Sequence, residues 1–306
     1  MYGRRRPVEN TDAANTYTVP IVVCIPTRNR PDDLARALAS LGVGTRRPAA
    51  ILVSDDSDDA IRAHVAAICA QWSAVTRTEG PRSGLARNMN HCLDHLPQRC
   101  DGVVFIDDDV VAAPSFLEEG WKHLRAHGPK SIVTGCEINR GHLVEPHGIG
   151  FLGHQDQPTR ATAHGIVINA TIFPRDLFQV VRFDAALRYG YEEADICAQA
   201  EAHGYHIYWH PTLRNHHFPS EINRDEYAAH IEISRLYATY KRYRWIDHNR
   251  RKALAFAVLG PLHLIAHSAK RQGLKGAVQG VATGTQALRL ARQEARKLQA
   301  SVRAQG

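Results

Sequence analysis

The sequence predicts an α/β fold with a mixed, largely parallel central sheet flanked by helices, followed by a C-terminal helical extension. Short Val/Ile-rich runs at 18–26, 49–54 and 102–106 each close in a proline or in acidic residues, and helical patterns separate them. The middle of the chain, from about Ser131 to Leu187, carries shorter strand-like runs broken by many Gly and Pro. From Asp225 onward the pattern turns helical and basic, with no comparable strand.

Taken in order, the first run ends at Pro26 and reads as a buried strand. A helix follows, with Pro31 at its first position and Asp32 and Asp33 at the positive end of its dipole. Leu34, Leu38 and Leu41 line its apolar face. The second run ends at Asp55-Asp56 and precedes a helix carrying Ile61, Val65, Ile68 and Cys69. The third ends in Asp107, Asp108 and Asp109. Ligands of parallel α/β sheets bind beyond the carboxyl ends of the strands, which is where these acids fall. Near the C-terminus an Arg- and Tyr-rich segment leads into an apolar stretch, 253–267, interrupted by Gly260-Pro261. Its 15 residues fall short of the roughly 20 needed to span a bilayer. A kinked interfacial or core-packed helix is expected there.

The 306 residues are 44% hydrophobic and 23% charged, ordinary for a globular chain with a sizeable core. Six cysteines lie scattered without CxxC spacing, which predicts reduced thiols and a cytoplasmic protein. The basic, apolar C-terminal segment adds either a peripheral position at the inner face of the cell membrane or packing on the catalytic domain or a second subunit. Residues 1–16 lack an apolar leader core and read as a flexible arm. Residues 224–306 hold 16 Lys and Arg against five Asp and Glu, while 1–223 hold 22 against 26. An acidic body therefore carries a basic tail.

Strand alternation puts Asp107 and Asp109 on one side of the chain and Asp108 on the other. Clustered carboxylates repel unless a cation sits among them, and Mg²⁺ or Mn²⁺ completed by substrate phosphates is the usual occupant at a nucleotide site. A solvated acidic turn is the plainer alternative.

The strings IPTRNR, LVSDDS, GLARNMN, IDDD and GYEEAD occur in the order and approximate spacing of family-two glycosyltransferases of the GT-A, Rossmann-like fold, and the chain resembles that family from roughly Pro20 to Phe218. The resemblance implies an inverting, metal-dependent transfer of a hexosyl or related sugar from a UDP-, dTDP- or GDP-sugar to an acceptor hydroxyl. It places Pro26, Thr27, Arg28, Asp55, Asp56, Arg87, Asp107 and Asp108 at the donor nucleotide, with Asp56 accepting a hydrogen bond from the base. The family's usual Asp-Asp-Gly-Ser lacks its glycine here, since Ser57 follows Asp56 directly. A guanidinium such as that of Arg87 suits a phosphate or the face of a base. The resemblance gives the metal to Asp107 and Asp109, with His217, rather than His216, as third ligand. Glu193 takes the place of the catalytic base, with Glu192 and Asp195 as substitutes. Helix capping is the plainer role for these three acids. Trp209, His164 and Asn169 are expected on the acceptor side.

The resulting domain reading is a GT-A unit over 17–223, with a nucleotide-binding half at 17–130 and an acceptor half at 131–223, followed by a basic helical region at 224–306. Expected partners are the donor, a saccharide or lipid-linked acceptor, a membrane surface touched by the C-terminal helices, and a second copy of the chain. No specific nucleic acid is expected, because a basic tail alone gives only nonspecific phosphate attraction. A nucleotidyltransferase would show a glycine-rich loop after the first strand, and IPTRNRPDD has none. A catalytically silent nucleotide-sugar-binding or scaffold protein stays open as the alternative.

Overall fold

The computed structural model describes residues 18–155, 164–219 and 224–305; the arm at 1–16 lies outside the described residues. Helices and strands alternate through β1 (Thr18–Thr27), α1 (Pro31–Gly42), β2 (Arg47–Asp55), α2 (Asp59–Cys69), β3 (Val75–Glu79), α3 (Leu85–Asp94) and β4 (Gly102–Phe105). Next come β5 (Val110–Ala112), α4 (Phe116–His127), β6 (Ser131–Asn139), β7 (His142–Val144) and β8 (Thr171–Pro174). The chain then forms α5 (Glu192–Ala202), β9 (His206–His217), α6 (Arg224–Lys241) and α7 (Arg250–Gln305).

The strands form one sheet in the order β3-β2-β1-β4-β8-β6-β9-β5, with β7 on β6. The β3-β2-β1-β4 half is parallel, β8 runs antiparallel to both β4 and β6, and β6 pairs parallel with β9. This is the mixed, largely parallel sheet expected from the sequence.

Both faces of the sheet are covered, which explains why β1 reads as a continuous apolar run rather than an alternating one. Ile21, Val23 and Ile25 pack with Leu34, Leu38 and Leu41 of α1 and with Val65 of α2. Val22 and Cys24 turn to the other face, against Met89 and Cys92 of α3 and a cluster of phenylalanines. There Phe105 meets Phe183 edge-on, with ring centroids 5.1 Å apart. Edge-to-face pairs contribute about 0.5–1.5 kcal/mol beyond area burial. All six cysteines are free and buried.

The C-terminal helices depart from expectation at one point. α7 runs helically through Gly260-Pro261 and breaks instead at Gln272 and Gly273, where Gly273 has φ 59° and ψ −143°. That left-handed region costs a glycine little, whereas Pro261 forfeits one hydrogen bond without forcing a turn. The break folds α7 into a hairpin whose second arm packs on the first through glycines. A Cβ on Gly280 would stand 3.0 Å from Ile265 Cα, and one on Gly276 would collide with the Ser268 carbonyl. Leu236 and Tyr243 pack with Phe256 and Leu264, fastening the first arm to α6.

Candidate active site

The carboxyl ends of β1, β2 and β4 deliver the acidic loops to one edge of the sheet. At the end of β2, Asp55 is fully buried, bound by Arg77 Nε at 3.0 Å and by the Ser57 amide at 2.9 Å. It holds the loop in shape. Asp56 anchors through its own amide to the Thr27 carbonyl, and its Oδ1 accepts the Arg82 amide at 2.8 Å. Burial pushes the Asp56 carboxyl up, against the pull of that amide. Gly80 leaves room for it, since a Cβ there would strike Asp56 Oδ1 and Asn88 Oδ1. Thus Ser57 directly after Asp56 is accommodated: its Oγ accepts the Asn29 amide at 2.9 Å. Arg28 and Arg87 are exposed, Pro26 and Thr27 buried. Arg87 lies in the first turn of α3, entered through Gly84 at φ 104°.

β4 ends at Phe105, so the three acids that follow are spread not by strand alternation but by a turn in which the Val110 amide bonds the Asp107 carbonyl at 3.2 Å. Asp108 turns toward β1, accepting Thr27 Oγ1 at 2.7 Å and facing Arg30 Nη1 at 3.3 Å. Burial nonetheless pushes its carboxyl up to about 7. Asp109 Oδ2 receives Arg30 at 2.7 Å. Its Oδ1 is buried and accepts no well-aimed hydrogen bond, with His217 Nε2 3.1 Å away. Asp107 takes the Asn169 side-chain amide on Oδ2 at 3.2 Å.

The distant partner His217 arrives through sheet pairing. β5 pairs antiparallel with β9, Val110 opposite His217, and the Phe218 amide bonds the Asp109 carbonyl at 2.9 Å. Donor atoms of Asp107, Asp109 and His217 all lie within 4.8 Å of one another. Glu137 on β6 completes the cluster, its Oε1 3.1 Å from His217 Nδ1 and its Oε2 accepting Asn169 at 3.1 Å. Burial alone would lower the His217 pKa, but Asp109 and Glu137 together raise it to about 10. Burial raises Asp109 and Glu137, yet both end below their ordinary carboxylate values, because His217, joined by Arg30 at Asp109 and by Asn169 and Asn139 at Glu137, outweighs that desolvation. Such a set of carboxylates with one imidazole suits Mn²⁺ better than Mg²⁺. His216 is exposed.

Glu192 opens α5, after Tyr191 turns the chain at φ 71°. Glu192 is buried with Oε1 lacking a hydrogen-bond partner. Glu193 Oε1 accepts the Ile168 amide at 2.7 Å. Burial, reinforced by the charge of Asp107 among others, pushes Glu192 to about 7 and Glu193 to about 8. Asp195 is placed differently, ion-paired to Lys241 at 2.7 Å and bound by Gln199 at 2.7 Å. His164 pairs with Glu201 at 2.9 Å, and Trp209 Nε1 contacts Cys136 Sγ at 3.4 Å.

Sequence reasoning missed Glu137, Arg30 and Asn215. Asn215 is fully buried and ties the Asn169 carbonyl at 2.6 Å to the Ala113 amide at 2.9 Å. The available signal for Glu137 was one acid inside the apolar run 131–138.

Residues 22–178 match the model of glycosyl transferase family 2. No curated protein sequence matches the chain. Among solved structures it is similar to GalNAc-T7 with UDP, GalNAc and Mn²⁺, at 15% identity and a TM-score of 0.56, over 74% of this chain and 51% of that one. The chain thus spans about half the length of that relative. It is also similar to the mannosyltransferase PcManGT from Pyrobaculum calidifontis in complex with GDP-Man and Mn²⁺, at 16% identity and a TM-score of 0.57, over 94% of this chain and 81% of the other. These likenesses establish the fold.

Proposed function

The chain belongs to glycosyl transferase family 2, and from that premise we propose that it moves a sugar from a nucleoside diphosphate to an acceptor hydroxyl with inversion, using Mn²⁺ or Mg²⁺. The observation that carries this reading is the convergence of Asp107, Asp109 and His217 within 4.8 Å, beside two carboxyls raised by burial. Asp109 Oδ1, buried with the His217 ring 3.1 Å away as its facing partner, fits a cation that would take the place of the ring proton between them. When bound, the ion would supply Lewis-acid neutralisation of charge on the departing diphosphate.

The chain's own residues do the rest. Asp56 meets the base, and Arg28, exposed near Asp56, and Arg87, exposed in the first turn of α3, are available to the diphosphate. Asn169 fixes Asp107, Glu137 orients the His217 ring, and Arg30 holds Asp109 by its other oxygen. Glu193 accepts the proton of the acceptor hydroxyl as its oxygen bonds to the anomeric carbon and the bond to the diphosphate oxygen breaks. A single displacement of this kind inverts the anomeric centre.

Calorimetry of UDP, GDP and dTDP with and without Mn²⁺, on the wild type and Asp109→Ala, tests the donor site. Metal-dependent binding of one nucleotide, lost in the variant, supports it, and turnover of the corresponding sugar donor completes it. Metal-independent binding without turnover would instead favour a silent nucleotide-sugar-binding protein.

A further inference from the structure

The hairpin of α7 turns an apolar face outward. On its first arm Leu254, Val258, Leu259 and Leu262 are 70%, 53%, 48% and 56% exposed; on the second, Leu274 and Val278 are 82% and 63% exposed. Helical periodicity puts Leu254, Val258 and Leu262 in one stripe. An 18-residue window of this helix reaches a mean hydropathy of 1.3 while only 22% of it is buried. Large apolar surface left in water at this density marks a contact site.

Charge decides the occupant. Residues 248–293 contain eight Lys and Arg and no Asp or Glu. Arg251 and Lys252 bound the first arm at one end and Lys270 and Arg271 at the other, all four exposed. A second copy docking through the same face by two-fold symmetry would set these positive charges against themselves. An anionic bilayer surface is complementary to both the charge and the apolar stripe.

We propose that this face docks on an anionic membrane surface, with the hairpin lying in the plane of the interface. It does not span, because Phe256 and Leu264 turn the opposite side of the first arm onto α6. Since α6 is ion-paired through Lys241 to Asp195 of α5, docking would hold the α5 side of the site in a fixed relation to the bilayer.

The test is co-sedimentation of the full chain with vesicles of phosphatidylcholine alone and of phosphatidylcholine mixed with phosphatidylserine, at low and high salt. Val258→Glu/Leu262→Glu serves as the variant, because both positions are exposed and the fold does not depend on them. The wild type is expected to bind the anionic vesicles, more weakly at high salt, and the variant to lose about tenfold or more in partitioning at an unchanged Tm. Equal binding by wild type and variant, or no binding to either vesicle, would overturn the proposal. So would a wild-type dimer in light scattering that the variant converts to monomer, since the face would then be a self-association surface. Vesicle binding is read without a sugar donor, so its failure and that of the proposed transfer reaction are separate results.

Discussion

At Glu193 the environment sets a measurable pH dependence. Its carboxyl is pushed to about 8 first by burial, with the charges of Glu137, Glu192 and Asp107 adding to it against the Ile168 hydrogen bond. A general base works in its ionised form, so kcat/KM should rise tenfold per pH unit below about 8 and level off above it. Glu193→Gln should lose about 10²–10⁴-fold in kcat while calorimetry shows nucleotide binding retained; full activity in that variant would transfer the role to Glu192. The acids around this residue differ in how far the sequence shows them. Asp107 and Asp109 stand out because acids straight after an apolar strand need a cation or water, and the triplet ends a strand that the pattern makes buried. Glu137 is silent, because its partner His217 lies 80 residues away and only the β6–β9 and β5–β9 pairings bring them together. Asp195 reads in sequence as a neighbour of the base, yet Lys241 claims it from α6, a contact that local spacing does not encode.

That claim makes α6 a structural clamp. Lys241 Nζ lies 2.7 Å from both Asp184 and Asp195, and the side chains of these two acids are only 13% and 1% exposed. Lys241→Met keeps most of the aliphatic stem and leaves the carboxylates facing each other. Breaking a buried ion pair by removing one partner costs about 3–5 kcal/mol, so the urea midpoint should fall by a corresponding amount; a loss below about 1 kcal/mol would mean that water already reaches the pair. Elements at this scale were legible where one cause dominates. Continuous apolar runs gave β1, β2 and β4, and Pro31 with its trailing acids gave the start of α1. Gly260-Pro261 misled because it looks like punctuation. Gly260 instead admits the Phe256 ring and Leu236, which a Cβ would meet at 2.9 and 3.1 Å, so its small size serves packing. The break falls at Gly273, where the arms must reverse.

Across the whole molecule, the change from acidic body to basic tail suggests a boundary near 223, but packing runs across it. Ser234 bonds the Tyr189 carbonyl at 3.0 Å, Tyr237 bonds Asp184 at 2.8 Å, and the Arg235 guanidinium, 1% exposed, reaches the Leu152 carbonyl. Leu187 packs directly against Tyr237 and Ala238. Composition follows what each surface meets, whereas folding follows what each element buries, and the contacts of α6 favour a division of the chain other than the compositional one. We therefore propose that α6 belongs to the folding unit of the sheet. A chain ending at 223 would expose Leu187 and strip Asp184 and Asp195 of their cation. It should be insoluble or lack a cooperative thermal transition by circular dichroism, while the full chain melts in one step. If residues 1–223 instead fold and bind nucleotide with the affinity of the full chain, the compositional boundary is also the physical one, and α6 is an appendage that the site does not need.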